Sequence, residues 1–159
     1  MRPIKFRGRV KHSNEWKYGS LLTHADGECN IITETGHRID TWNVDPATVG
    51  QYAGLKDVNK KEIYEGDNVE ACFKYEDIGP NGGVIPDQDC IIHGIVAWED
   101  CGLCIKLTDC EYPLKADFNS RDLEYMPFSA FESPQDDIEV IGNIHEQGKE
   151  VNDGKHPKD

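Results

Sequence analysis

The sequence predicts a mainly β protein, built as a small N-terminal antiparallel sheet followed by a barrel or roll. Three observations carry that reading. Ile4 to Val10 alternates strictly, with Ile4, Phe6, Gly8 and Val10 on one face and Lys5, Arg7, Arg9 and Lys11 on the other. Turn residues at Ser13-Asn14, Asp26-Gly27 and Gly36 then separate the short runs Trp16–Thr23, Cys29–Thr33 and Arg38–Trp42. Finally, Glu65-Gly66-Asp67 precedes a strand in which Val69, Ala71 and Phe73 alternate with polar residues, the pattern by which small barrels turn a corner.

The first four runs form successive hairpins and make the N-terminal sheet. Asp45-Pro46 reads as an N-cap followed by proline at the first helical position, so a single helical or 3₁₀ turn spans Pro46–Val49. Gly50 is expected to end that turn in the left-handed conformation. Gln51–Ala53 is a short extended piece closed by Gly54. Asp57-Val58-Asn59-Lys60 is a polar turn, because Asp and Asn side chains bond their own backbone. Glu62–Tyr64 opens a strand that resumes from Asn68 to Phe73.

Beyond it, Lys74–Gln88 is rich in glycine, proline and aspartate (Gly79-Pro80-Asn81-Gly82-Gly83), which predicts a long loop at a barrel edge. Cys90–Trp98 is an apolar strand, with Leu103–Leu107 its neighbour across Glu99–Gly102. Leu114–Phe131 leaves a helix open, with Pro127 and mixed periodicity against it. Asp137–Ile144 is a closing strand, and the tail 147–159 has the composition of a disordered segment. The expected organisation is therefore an N-terminal β subdomain over 1–49, a barrel or roll over 50–146, and the tail.

Composition limits the function. The 159 residues include 30 acids and 17 Lys or Arg, for a net charge of −13. That charge disfavours general affinity for nucleic acid or anionic membrane. There is no apolar run long enough to span a bilayer and no signal peptide, so a cytoplasmic location is expected. The charge is also uneven. Residues 1–20 hold six basic groups and one acid, which leaves −18 on the rest of the chain.

Two constellations qualify as binding candidates. Lys5, Arg7, Arg9 and Lys11 project from one strand face about every 6–7 Å, close to the phosphate spacing of a nucleic-acid strand. Pairing with carboxylates of neighbouring strands or a partner subunit is the favoured alternative. A basic face on one copy meeting an acidic face on another is a third reading, one that closes into rings. The second constellation is Cys90-x-x-His93, Cys101-x-x-Cys104 and Cys110, enough donors for a tetrahedral zinc. Against zinc, residues three apart on a strand point to opposite faces, so thiols in a reducing cytoplasm are favoured and no cofactor is expected. Redox use of Cys101 and Cys104 lacks the helix N-terminus that lowers a thiol pKa. The glycines at 79–83 lack the lysine and helix of a phosphate loop, and no histidine stands in a nucleophile motif.

Several strings carry a resemblance to a known family. They are Lys5-Phe6-Arg7-Gly8, Trp16-x-Tyr18-Gly19, and Val44-Asp45-Pro46-x-Thr48-Val49-Gly50-Gln51-Tyr52-x-Gly54-Leu55-Lys56-Asp57. They continue with Lys61-Glu62-Ile63-Tyr64-Glu65-Gly66-Asp67-x-Val69, Gly94-x-Val96-x-Trp98 and Ile138-Glu139-Val140-Ile141-Gly142-Asn143-Ile144-His145-Glu146. Across about residues 4–146 the chain resembles the YopX-type proteins of bacteriophages and prophages. The resemblance implies a β-rich fold with an SH3-like barrel in the C-terminal part, and it implies no enzymatic activity. The expected function is a non-enzymatic protein-interaction module. Its partner would be a host or phage protein or a second copy in a homo-oligomer, met through the polar face of the first strand and the 74–88 loop.

Overall fold

The computed structural model describes residues 3–78, 81–100, 102–111 and 123–146. Strand β1 (Phe6–Arg9) lies inside the first sheet, between β2 (Trp16–Thr23) and β5 (Gly50–Lys56). The sheet runs β4-β3-β2-β1-β5-β6, with β3 at Cys29–Thr35, β4 at Arg38–Val44 and β6 at Glu62–Tyr64. It curls until Val10 bridges Val44. The face enclosed by that curl packs Cys29, Ile31 and Val44 with Phe6, Leu21 and Trp42 in a small core.

Sheet two runs β10-β9-β8-β7-β11. Its strands are β7 (Asp67–Ile78), β8 (Val84–Glu99), β9 (Gly102–Cys110), β10 (Tyr125–Pro127) and β11 (Ile138–Asn143). A 3₁₀ turn at Phe128–Ala130 and one helical turn, α1 (Pro134–Asp137), lead into β11. All pairings in both sheets are antiparallel, as the alternating patterns require.

Between the sheets lie β5 and β6, and this explains why their sequence is so constrained. Ala53 and Ile63 point into the large core, with no exposed surface, among Val69, Ile92, Val96, Ile105 and Ile138. A fully buried isoleucine such as Ile63 contributes about 1.5–3 kcal/mol. Tyr52 and Tyr64, a facing pair, pack their rings at 5.4 Å on the opposite side, and Tyr64 is 1% exposed. The stretch is thus buried on both faces.

Two aspartates hold it there. Asp57 is fully buried, and its Oδ1 accepts from the Asn59 and Lys61 amides, closing the turn before β6. Its Oδ2 accepts from the Val140 amide at 3.0 Å, across 83 positions of chain. The adjacent Val58 amide donates to the Ile138 carbonyl, so this turn covers the outer edge of β11. Asp67 plays the matching part at the other end of β6, described below.

Four expectations need correction. The expected loop 74–88 is not a loop: β7 and β8 continue through it, pairing Lys74 with Asp89, Tyr75 with Gln88 and Ile78 with Val84. Composition weighs turn formers without seeing the cross-strand ladder that pairs the flanking residues, and Gly79 and Pro80 lie outside the described residues. The helix left open over 114–131 gives way, in its described part, to β10 and the 3₁₀ turn; the remainder lies outside the described residues. Gly50 does not take a left-handed conformation. Glycine is needed there because a Cβ would sit 2.5 Å from the Glu65 carbonyl oxygen. Val49 also lies beyond the 3₁₀ turn, which ends at Thr48 with Asp45 as its cap. The 147–159 tail falls outside the described residues. No helix among those described is long and apolar enough to cross a membrane.

Replacing Asp57 with alanine orphans the buried Val140 amide, at about 1–3 kcal/mol, and removes the acceptor of the part-buried Asn59 and Lys61 amides. Urea unfolding of Asp57→Ala is expected to show an unfolding free energy lowered by a few kcal/mol, read as a lower midpoint with an unchanged slope. Asp57→Asn, which keeps one accepting oxygen, falls between the two.

Candidate functional site

The basic strand face leads directly to the joint between the sheets. On β1, Arg7 sits opposite Tyr18 on one side and Gly50 on the other. The missing side chain at Gly50 lets the Glu65-Gly66-Asp67 turn settle against the strand. Gly66 makes that turn at φ +82°, donates to the Val96 carbonyl and accepts from the Ile144 amide. Asp67 is thereby set over Arg7.

Arg7 Nη1 donates to Asp67 Oδ1 at 2.6 Å, and the two side chains are only 7% and 1% exposed. Asn143 Nδ2 donates to the same oxygen, and the Tyr64 amide to Oδ2. Arg7 Nη2 reaches the Glu65 carbonyl at 2.9 Å. The guanidinium lies 4.9 Å from the Trp16 ring and 5.1 Å from the Tyr64 ring. Arg7 Nε is buried with no partner among the described residues. Two charges so deeply buried persist only because further hydrogen bonds and ring faces replace their water.

The other three cations are engaged as well. Lys5 pairs with Glu62 at 2.6 Å, and the Tyr64 hydroxyl donates to the same carboxylate. Burial alone would raise the Glu62 carboxyl, but these two donors outweigh it and hold the group below its ordinary value. Burial, then the Glu62 acceptor, pushes the Tyr64 phenol far above its usual range. Arg9 donates to the His145 carbonyl, and Lys11 pairs with Glu28. Every member of the basic row therefore has a partner inside the chain.

The metal candidates do not converge. Cys90 faces the large core with no exposed surface, its sulfur 3.4 Å from the Glu111 carbonyl. His93, three residues on, faces outward against Glu70 at 3.0 Å. Cys104 is buried with its sulfur toward the Ala97 carbonyl, and Cys110 is buried in the large core. Cys101 lies outside the described residues. Among the described residues, no three His, Cys, Asp or Glu side chains gather as metal ligands.

An open groove of about 710 Å³ runs beside the first hairpin. Ile4, Lys5, Lys17, Tyr18, Glu34 and Trp42 are among its walls. Ile4 is 76% and Tyr18 44% exposed, and the Lys17 ammonium lies 4.0 Å from the Trp42 ring centre. Tyr18 also packs on Tyr64 at 5.5 Å, so the groove is built on the joint. Sequence reasoning found the cations and missed the two buried acids of the joint. Asp57 and Asp67 read as turn residues, and the available signal was only that each follows a glycine-containing motif and precedes a strand.

A family model described as YopX protein matches residues 5–150. No curated protein gives a significant match.

Removing one partner of a buried ion pair costs about 3–5 kcal/mol. Arg7→Met and Asp67→Ala are each expected to lose that much in chemical unfolding. The double variant Arg7→Met/Asp67→Leu is expected to lose less than the sum. A second test uses pH. Burial, with Arg9 and Arg7 adding to it, lowers the His145 pKa below its ordinary 6.5. The fold then binds that proton less well than the unfolded chain. The His145 contribution is complete above pH 6.5 and is lost as pH falls below it. Thermal unfolding of His145→Gln near about pH 6 should therefore vary less with pH than the wild type does.

Proposed function

We propose that this chain, which belongs to the YopX family, is a non-enzymatic protein of phage or prophage origin that acts in the bacterial cytoplasm by binding another protein. The observation that carries the reading is the groove beside the first hairpin. Ile4 and Tyr18 remain exposed there, while the neighbouring cations are already engaged within the chain. Exposed apolar and aromatic side chains edged by both signs of charge suit an extended protein segment, with aromatic anchors inside a polar rim. We assign the groove to a segment carrying apolar side chains on a basic background, because the net charge of −13 attracts such a partner.

Nucleic acid has less support. Arg7 is only 6% exposed, and Lys5, Arg9 and Lys11 would each have to give up an internal acceptor to meet a phosphate. Zinc binding has less support too, since Cys90 and His93 face opposite ways. The absence of enzymatic activity is supported by what the buried acids do. Asp57 and Asp67 are buried and each accepts three hydrogen bonds from within the chain, so neither carboxylate is presented to a substrate.

The test places a photo-crosslinking side chain at position 4 in cells that carry the phage. A protein partner joined through that position is expected. Its capture by unlabelled protein should fall at least tenfold on Ile4→Asp with an unchanged Tm. Crosslinking that is confined to nucleic acid would overturn the reading, as would turnover in an activity panel that a single substitution abolishes.

A further inference from the structure

Among the described residues the two sheets end in four edge strands, and three of them are blunted. β6 and β10 are three residues long. β11 is covered along its first half by the Asp57-Val58 turn, which takes the Val140 amide and the Ile138 carbonyl. β4 is different. It runs seven residues, pairs with β3 from Cys29↔Val44 to Thr35↔Arg38 without a register break, and carries no proline, lysine or bulge.

The direction of its free peptides follows from the curl of the sheet. Lys11 N–H donates to the Asn43 carbonyl and Asp45 N–H to the Arg9 carbonyl, so residues 43 and 45 point outward from β4. Alternation then turns the N–H and C=O groups of Ile39 and Thr41 outward as well. No other backbone bond among the described residues takes them. The edge is therefore open from Arg38 to Trp42, and Ile39 at its middle is 68% exposed.

We infer that β4 pairs with β4 of a second copy of this chain, antiparallel about a two-fold axis, with Ile39 opposite Ile39. Charge selects this register. It sets Arg38 opposite Asp40 of the other strand, and by symmetry Asp40 opposite Arg38. These are non-hydrogen-bonded pairs, in which side chains approach most closely. Moving the centre by one residue sets Asp40 against Asp40. Moving it by two sets Asp40 against Trp42 and drives the strand end into the Val10–Val44 bridge. The first register also makes the central pair one whose outward peptides exchange both N–H···O bonds, which the register centred on Asp40 does not. Within a single chain Arg38 already bonds Asp40 at 2.7 Å but is 79% exposed, so it is free to share that carboxylate across the axis. The contact is isologous and joins the two first sheets into one. Asp40 also lines the groove, but the pairing rests on the free edge of β4 and stands whatever the groove binds.

Native mass spectrometry and sedimentation of the full chain across a concentration series test this. The wild type is expected to dimerise. Arg38→Asp and Asp40→Arg are each expected to be monomeric, and their equimolar mixture to give a heterodimer with one copy of each. Circular dichroism melting verifies that both variants fold. In the wild type, hydrogen exchange at the Ile39 and Thr41 amides should slow as concentration rises. A wild type monomeric at its highest soluble concentration would overturn the inference. So would charge variants that self-associate like the wild type, or a mixture that stays monomeric.

Discussion

Arg7 and Asp67 are the interaction on which the rest of the molecule depends. A guanidinium and a carboxylate, each more than nine-tenths buried, must recover from the protein what they lose in leaving water. The carboxylate does so with Arg7, Asn143 and the Tyr64 amide, and the guanidinium with the Glu65 carbonyl and two aromatic faces. Those contacts come from β1, β2, β6, the turn before β7 and the end of β11. Four separate pieces of chain, with β6 and the turn after it as one of them, are therefore fixed by one ion pair. Asp57 repeats the device with backbone donors only, tying the turn before β6 to β11. Because both acids flank β6, that short strand cannot shift without disturbing both sheets.

The joint also decides what the surface can offer. Taken alone, the first strand looks like a cationic stripe, but the fold turns one cation inward and gives acceptors to the other three. The charge left outside is mostly negative, and the accessible chemistry moves to the groove, where apolar and aromatic groups stand free. Exposed pairs such as Lys11–Glu28 contribute little to stability. Their larger effect is to neutralise the strand. A basic segment of sequence and a basic surface are thus different things in this protein.

Much of the fold was legible because local rules determine it. Strict alternation located β1, the turn residues located the first three hairpins, and Asp45-Pro46 located its helical turn, since each depends on neighbours within a few positions. The YopX motifs were legible as well. What stayed hidden depends on distant partners. Nothing near Asp57 says that its second oxygen reaches Val140, and nothing near Gly50 says that Glu65 occupies the space of its Cβ. The 74–88 hairpin was misread for the opposite reason: its local composition favours turns, and the ladder between β7 and β8 overrides that preference. In the candidate site, the cations showed their alternation, whereas their acceptors lie 17 to 136 positions away.

Native-state hydrogen exchange tests the central claim most directly, through the Tyr64 and Val140 amides that donate to the two buried aspartates. If these carboxylates bind the sheets into one cooperative unit, both amides exchange only through global unfolding. Their opening free energies and denaturant slopes then match those of Ile92 and Ile105 in the large core. Exchange of Tyr64 and Val140 through a smaller opening, with the core amides still protected, would contradict the account. It would mean that the sheets part without unfolding and that the buried acids do not hold the structure together.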